Sequence, residues 1–267
     1  MKVVSYLRKV SILCASVFLL SSSQAVMAKS DAFGDGQKKQ IEKIVHDYLL
    51  NNPQILVEVS QKLQEQQQKD MQAMEKKAEK TIPKLARKLF NDKDSPSMGD
   101  ANAPVTIVEF FDYQCSHCKD MSEVLDGLSK KNKDIRVVYK EFPIFGNASM
   151  EAARAALAAN MQGKYAAMHD ALMNTSNPLT DKKVMEAAKT AGLDIKKLKI
   201  DMQGEVVKEE LEENLMLSQK LGLMGTPAFV VGHTQKGSKT DVPVFFVPGA
   251  TSEEMLQSYI EKMRAVK

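Results

Sequence analysis

The chain has 267 residues, of which 43% are hydrophobic and 27% are charged, and it contains no tryptophan. This composition is typical of a folded protein with one or two domains and enough apolar residues for a substantial core. The formal net charge is +3, and no basic block beyond the N-terminus indicates binding to nucleic acid or to an anionic membrane. We therefore expect no nucleic-acid partner.

The first 28 residues predict a secretory signal peptide. Three basic residues are followed by an apolar run over residues 10–20, and small residues lead to a cleavage site after Ala28. The apolar run is too short to span a bilayer comfortably. Cleavage would discard Cys14 and remove three of the 37 basic residues, which leaves 34 basic and 34 acidic residues. The mature protein would then carry no formal net charge and would work in the periplasm.

Residues 29–90 predict a helical region whose apolar faces need a partner. The pair Asn52-Pro53 ends one amphipathic helix and starts another. A glutamine-rich polar stretch over residues 64–70 follows, and Pro83 is expected to restart the helix. Because such helices cannot form a core alone, we expect this arm to pair with the same arm of a second chain, as in the symmetric dimers that dominate among oligomers. A trimer and packing against the rest of the chain are the alternatives.

The sequence then predicts a junction between a strand and a helix. Residues 91–104 are polar and broken by proline and glycine, which predicts a linker. The apolar, β-branched run over residues 105–108 predicts a buried strand, and from Cys118 onward apolar residues recur at helical spacing. Cys115 therefore lies where a helix begins, and the free N–H groups and dipole of the first turn favour a thiolate there.

Cys115 and Cys118, three residues apart at this junction, predict a redox-active dithiol in which one sulfur attacks and the other resolves. A structural disulfide is disfavoured, because so small a loop removes little entropy from the unfolded chain. We expect no metal, since zinc needs four ligands and the four histidines are scattered along the chain. His117, between the cysteines, is expected to stabilise the Cys115 thiolate; a solvated histidine is the alternative.

Two motifs resemble the bacterial DsbA family of thioredoxin-fold thiol–disulfide oxidoreductases. The segment from Val108 to Cys118, VEFFDYQCSHC, is similar to the active-site region of that family, and the segment from Gly225 to Val231 resembles the cis-proline loop of the thioredoxin fold. The resemblance covers residues 97–267. The family commonly has proline at the position of Ser116, so its strongly oxidising potential is not carried over, and we expect Ser116 as well as His117 to tune the dithiol.

The resemblance also implies roles for residues outside the dithiol. Glu109 would be the buried acid beneath the active site. Pro227 would be in cis, and the backbone of Thr226 would hold a substrate strand against the reactive cysteine. We expect Lys140, on the second strand, to reach Glu109 as a proton relay; a lysine that faces solvent is the alternative.

The complete pattern predicts an α/β protein. Residues 105–267 would form a DsbA-like thioredoxin domain with a second strand at 135–142, and helical segments at about 147–222 resemble the helical insertion of the family. A hairpin and a last helix, capped by Thr251, would follow. The predicted fold is thus a thioredoxin fold with an inserted helical domain, preceded by an N-terminal helical dimerisation arm.

We predict from this a periplasmic thiol–disulfide oxidoreductase that acts on exported proteins containing cysteines. The arm favours a dimeric isomerase that also oxidises, because two dithiols facing one cleft keep a released substrate near the second site. A disulfide-donating oxidase and a periplasmic chaperone with secondary redox activity are the alternatives. We expect no cofactor beyond the disulfide of Cys115 and Cys118, which a membrane partner of the DsbB or DsbD type would recharge.

Overall fold

The computed structural model describes residues 34–234 and 243–266, so the predicted signal peptide lies outside the described residues. The chain divides into two compact units, with the division between Gln61 and Lys62. None of the helices in the described ranges combines the length and the apolarity needed to cross a membrane.

The first unit contains helix α1 (Asp35–Asn51) and the beginning of helix α2 (Gln54–Phe90). The predicted break at Asn52 and Pro53 is confirmed, and the Asn52 side chain donates to the carbonyl oxygen of Tyr48 at 2.8 Å. The apolar side chains exposed in this unit are Ile41, Ile44, Val45, Tyr48, Leu50, Leu56, Val57 and Val59. The apolar faces predicted from the sequence are therefore present and exposed.

Helix α2 continues through Pro83 to its end, so the predicted restart of the helix at this proline is wrong. Packing on both sides of the proline explains the continuity. The buried residues of this half are Ala78, Ile82, Ala86, Leu89 and Phe90. The end of the predicted arm, residues 29–90, thus belongs to the second unit and covers part of its core.

The second unit is built on a mixed sheet with the strand order β1-β3-β2-β4-β5. These strands are β1 (Ser97–Gly99), β2 (Val105–Phe111), β3 (Ile135–Glu141), β4 (Ala228–His233) and β5 (Phe245–Val247). Strands β2 and β3 are parallel and are joined by helix α3 (Ser116–Lys131), whereas the other pairs are antiparallel. The segment 91–104, which the sequence predicts as a linker, contains β1 and therefore also contributes a strand to the sheet.

A run of helices separates β3 from β4 and confirms the predicted helical insertion. Its members are α4 (Asn147–Asn160), α5 (Tyr165–Met173), α6 (Asp181–Thr190), α7 (Ile195–Asp201) and α8 (Glu205–Leu221). The last helix, α9 (Glu253–Arg264), has Ser252 as its N-cap rather than the predicted Thr251.

Both faces of the sheet are covered. Side chains of a strand alternate between the two faces, and each face contributes to its own hydrophobic core. On one face, Ile107 and Phe111 of β2 share a core with α3, α9 and the helical insertion. On the other face, Val108 packs with the end of α2 and with α8. Gly232 of β4 allows α2 to approach closely, since a Cβ atom there would stand 2.5 Å from the Phe90 ring. The result is a thioredoxin fold with a helical insertion.

Candidate active site

Cys115 lies where the chain leaves β2 and enters α3. It is the N-cap residue of α3, with extended backbone angles of φ −75° and ψ 118°, and it is 6% exposed. Cys118 follows one turn later and is fully buried. Both thiols are free. The structure thus places the dithiol at the predicted junction of strand and helix.

The two cysteines differ strongly in acidity. The pKa of the Cys115 thiol is lowered from 9.0 to about 5, first by a hydrogen bond from the Cys118 thiol and further by the backbone N–H groups of Cys118 and His117, while burial opposes the shift. The pKa of Cys118 is raised, mainly because burial disfavours its thiolate. Near neutral pH, Cys115 is therefore the thiolate and Cys118 the thiol.

The Thr226–Pro227 loop lies beside the reactive sulfur. The peptide bond between these two residues is cis, as the resemblance implies. When Cys115 is protonated, its thiol donates to the carbonyl oxygen of Thr226, with 3.3 Å between sulfur and oxygen. The loop reaches this position because β4 begins at Ala228, which pairs with Phe110 near the end of β2.

Glu109 lies buried on the α3 side of the sheet. Neither of its carboxylate oxygens has a hydrogen-bond partner among the described residues. Burial raises the pKa of this carboxyl from 4.5 to about 8, and the charge of Cys115 adds to the shift. The charge of Glu109 in turn contributes to the raised pKa of Cys118. A carboxyl that holds a proton near neutral pH therefore interacts with both members of the dithiol.

Lys140 does not reach Glu109, and this prediction is wrong. In the parallel pairing of β2 with β3, Glu109 stands opposite Tyr139, so Lys140 points to the other face of the sheet. The alternative of a lysine facing solvent is also wrong, because Lys140 is fully buried. Its ammonium group donates to the hydroxyl of Ser95, and it pairs with a carboxylate of Glu210 at 3.5 Å.

This lysine belongs to a buried ion cluster away from the dithiol. Oxygens of Asp92, Glu210 and Glu213 lie within 4.8 Å of one another, a grouping that could hold a cation. Lys140 lies 3.5 Å from Asp92, and Lys88 contacts Glu213 at 2.6 Å. The two ammonium groups offset two of the three carboxylate charges and contact all three side chains, so we interpret the cluster as structural ion pairs.

The side chain of His117 is exposed on the first turn of α3. Its ring nitrogen Nδ1 lies 3.9 Å from a carboxylate oxygen of Asp120, and its backbone N–H contributes to the low pKa of Cys115. Ser116 is the first residue of α3 and is also exposed. Of the two residues, His117 contacts the Cys115 sulfur through its backbone N–H, and the tuning of the dithiol by the two side chains stays a prediction.

Asp112 holds the chain just before the dithiol in place, a role that the sequence analysis missed. The buried carboxylate accepts from the backbone N–H groups of Gln114 at 2.8 Å, Ile144 at 2.7 Å and Phe145 at 3.0 Å. An aspartate that accepts from the N–H two residues later is a common turn signal. This signal was present in the motif, but the partners in the loop after β3 were not visible from the sequence.

Gln114, the residue before Cys115, connects the dithiol loop to the helical insertion. Its side-chain amide donates to the carbonyl of Phe145 at 3.1 Å and to the hydroxyl of Ser149 at 3.2 Å, and it accepts from the N–H of Leu179 at 3.1 Å. The side chain of Asn177 donates to the Gln114 carbonyl at 2.8 Å. The insertion therefore contacts the chain directly beside the reactive cysteine.

A second buried polar group was also missed. One oxygen of Glu141 accepts from the hydroxyls of Tyr113 at 3.0 Å and Tyr165 at 2.8 Å. The Tyr113 hydroxyl also contacts Nδ1 of His169 at 3.1 Å. Burial raises the pKa of Glu141 and lowers that of His169 to about 3, so the imidazole of His169 is neutral near pH 7. The group joins the end of β3 to α5 of the insertion.

The dithiol lies at a helix N-terminus beside a cis-proline loop. Together with the fold, this arrangement defines a thioredoxin-fold protein with a redox-active dithiol. Residues 106–261 match the DSBA-like thioredoxin domain, and residues 37–69 match the domain described as the copper resistance protein ScsC N-terminal domain. The chain therefore belongs to the DSBA-like thioredoxin-domain family, and it is a thiol–disulfide oxidoreductase of the DsbA and ScsC type.

Solved structures show the same relationship. A thioredoxin-like oxidoreductase from Silicibacter pomeroyi DSS-3 is 39% identical, with a TM-score of 0.62 over 68% of this chain and 98% of that chain. BcfH from Salmonella enterica Typhimurium is 31% identical, with a TM-score of 0.64 over 86% and 97%. ScsC from Proteus mirabilis in a transitional conformation is 30% identical, with a TM-score of 0.61 over 88% and 99%.

Curated relatives of a different kind share only part of their length with this chain. A Na⁺/H⁺ antiporter NhaA from Herminiimonas arsenicoxydans is 29% identical over 142 residues, which are 52% of this chain and 23% of the antiporter. The chain thus spans about a quarter of the length of these relatives, and their transport activity does not transfer to it.

Proposed function

We propose that this protein exchanges disulfides with exported, cysteine-containing proteins. Cys115 is the attacking sulfur and Cys118 the resolving sulfur. The observation that carries this assignment is the difference in acidity between the two thiols, with the pKa of Cys115 lowered to about 5 and that of Cys118 raised. A sulfur of low pKa is both present as thiolate and a good leaving group, whereas its buried neighbour acts only when the first sulfur is bound.

Oxidation of a substrate proceeds in two exchanges. A substrate thiolate attacks Cys115 of the disulfide, a mixed disulfide forms, and Cys118 leaves and takes up a proton. A second substrate thiolate then attacks the substrate sulfur of the mixed disulfide and expels the Cys115 thiolate. Two electrons pass from the substrate to the dithiol. The reverse sequence reduces a substrate, and attack followed by release onto a different substrate cysteine isomerises it without net electron transfer.

Glu109 supplies and removes the proton of Cys118 in this scheme. Cys118 is buried, so its thiolate must be protonated when it leaves and deprotonated when it attacks. The buried Glu109 carboxyl has a pKa of about 8 and interacts with Cys118, which suits proton exchange near neutral pH. Lys140, on the other face of the sheet, has no part in this step.

The Thr226–Pro227 loop binds the substrate strand. The carbonyl of Thr226 stands beside the Cys115 sulfur, and Pro227 has no N–H with which to pair within its own chain. A substrate strand that carries the reacting cysteine pairs with the Thr226 backbone instead. Ser116 and His117, exposed on the first turn, contact the other side of the bound cysteine and tune the dithiol.

The balance between isomerase and oxidase activity depends on the arm. The exposed apolar side chains of residues 41–59 bind a second copy of the chain, so that two dithiols face a shared space. A substrate released by one dithiol is then captured by the other at a high effective concentration. We favour a homodimer that isomerises and also oxidises, with a trimer as the alternative assembly.

The proposed compartment is the periplasm. The predicted signal peptide supports export, and a relative from Salmonella enterica serovar Typhimurium is described as a periplasmic thioredoxin-like protein. The recharging partner is a membrane protein of the DsbB type if the dithiol is kept oxidised, or of the DsbD type if it is kept reduced. No cofactor beyond the disulfide of Cys115 and Cys118 takes part in the scheme.

A trapping experiment tests this function. In the Cys118→Ala variant the mixed disulfide on Cys115 cannot be resolved from within, so we expect complexes with periplasmic proteins that a reductant dissolves. The Cys115→Ser variant is the matched control and should form none. Complexes of equal yield from the Cys115→Ser variant would contradict the assignment of the attacking sulfur.

A further inference from the structure

A groove runs from the Thr226–Pro227 loop along helix α2. Its first part is lined by Met71 and Met74 of α2, by residues 223–228, and by Pro248 and Gly249. The residues that line its second part are Gln64, Gln67, Gln68, Asp70, Met71 and Met224. The two parts share Met71 and Met224 and therefore adjoin each other. We call this combined surface the α2 groove.

The walls of the α2 groove are apolar and rich in amides. Met71 is 45% exposed and Met224 is 76% exposed, and the flexible thioether side chain adapts to apolar groups of different shape. The glutamine amides along residues 64–68 both donate and accept, so they can bind peptide groups of any sequence. Among the lining residues the only carboxylate is Asp70, which accepts from Gln66 at 2.9 Å.

One end of the α2 groove is formed by a residue that contacts the reacting sulfur. Thr226 lines the groove, and its carbonyl oxygen lies 3.3 Å from the sulfur of Cys115. A polypeptide joined to Cys115 by a disulfide must extend away from this sulfur over the neighbouring surface. The groove offers one such direction. Asp70 is the only charged residue among those that line it, so the groove suits a segment without charged side chains, because a buried unpaired charge is costly.

We propose that the α2 groove binds the stretch of substrate polypeptide that flanks the reacting cysteine. The fitting segment is extended and uncharged, with apolar side chains against Met71 and Met224 and with its peptide groups against the glutamine amides. This inference rests on the proposed function, since the disulfide with Cys115 brings the substrate chain to Thr226. It also gives the glutamine-rich stretch of α2 a binding role.

The test compares a peptide with a small thiol. The oxidised full-length protein reacts with a short peptide that has one cysteine flanked by uncharged residues and, separately, with the uncharged thiol β-mercaptoethanol. The ratio of the two second-order rate constants measures the preference for a polypeptide. We expect Met71→Glu and Met224→Glu each to lower this ratio about tenfold, the effect of about 1.4 kcal/mol of lost binding. A peptide with glutamates beside its cysteine should react more slowly with the unsubstituted protein.

The control is Met161→Glu. Met161 is 44% exposed and follows α4 in the helical insertion, outside the groove, so the ratio should keep its original value. An unchanged ratio in both groove variants would overturn the inference, and so would an equal fall in Met161→Glu. A change of oligomeric state in Met71→Glu with no change of ratio would mean that a second copy of the chain covers the groove, which also overturns it. If the unsubstituted protein reacted with neither thiol, the proposed function itself would fail.

Discussion

The thiol of Cys115 donates to the carbonyl oxygen of Thr226, two residues that lie far apart in the sequence. They meet because β2 and β4 are antiparallel neighbours, paired from Val105 with His233 to Phe110 with Ala228. The end of β2 and the beginning of β4 therefore lie at the same edge of the sheet. The candidate site is thus built where the strand that leads to the dithiol meets the loop that precedes β4.

Glu109 should make the stability of the reduced protein depend on pH. Its pKa rises from 4.5 to about 8 on folding, so between these values the folded state holds a proton that the unfolded state has lost. Stability therefore falls as pH rises from 4.5 towards 8. We expect Glu109→Gln to raise the free energy of unfolding by a few kcal/mol at pH 8, at about 1.4 kcal/mol per pKa unit, and to have little effect at pH 4.

Urea unfolding at the two pH values measures this difference. The control is Glu123→Gln, an exposed carboxyl on α3, which should change the free energy of unfolding little at either pH. A Glu109→Gln variant with the same stability as the unsubstituted protein at pH 8 would contradict the raised pKa.

Gln114 should contribute both to the stability of the protein and to the low pKa of Cys115. Gln114→Ala removes the amide contacts to Phe145, Ser149 and Leu179, so we expect a loss of about 1–3 kcal/mol in the free energy of unfolding. We also expect a higher pKa of Cys115, because the sulfur is less firmly held against the N–H groups of α3. Thermal or urea unfolding and a pH titration of the thiolate give the two values.

Gln162 offers a matched control for this prediction. Its amide also makes two contacts to the main chain, with the N–H of Asp194 at 3.0 Å and the carbonyl of Asp194 at 3.2 Å, but within the insertion. Gln162→Ala should lower stability without changing the pKa of Cys115. If both variants left that pKa unchanged, Gln114 would have only a structural role.

Lys140 should matter for stability and not for the dithiol. Lys140→Met leaves the carboxylates of Asp92 and Glu210 buried without this partner, which costs about 3–5 kcal/mol when one member of a buried ion pair is removed. Since Lys140 is on the opposite face of the sheet from Glu109, the pKa of Cys115 should not change. Unfolding in urea and titration of the thiolate measure both effects. A changed pKa of Cys115 with unchanged stability would contradict this placement.

The features that sequence analysis predicted are local ones. The junction of strand and helix at Cys115, the break before α2 and the helices of the insertion all follow from side-chain periodicity and from turn residues over a few positions. The cis peptide before Pro227 came from the resemblance to a family motif. In each case the signal lies within the segment that forms the feature.

The features that sequence analysis missed depend on contacts between distant segments of the chain. Lys140 stands in an alternating strand, and its face is decided by the register of β2 with β3, while its partners Asp92 and Glu210 come from two other parts of the chain. The end of α2 was assigned to the arm because its own sequence pattern does not show that it packs against one face of the sheet. No sequence pattern indicates the role of Gln114, since its partners Phe145, Ser149, Asn177 and Leu179 lie more than thirty residues further along the chain.

The first unit can be removed without cutting into the core of the second. Deletion of residues 34–61 leaves the buried half of α2 in place, unlike a deletion of the whole predicted arm. We expect a monomer that still oxidises a reduced substrate protein and loses most of its isomerase activity on a scrambled one, because only one dithiol remains per particle. Light scattering and the two activity assays measure this. Equal isomerase activity in the monomer would contradict the proposed role of the arm.

The acidity of Cys115 tests the account most directly. The reduced protein is titrated from pH 3 to pH 10 while the rate of alkylation of Cys115 is followed, with Cys115→Ser as the blank. We predict a half-maximal rate near the pKa of about 5, with Cys118 unreactive over the same range. A single transition near the ordinary thiol pKa of 9.0 would contradict the assignment of Cys115 as the attacking and leaving sulfur.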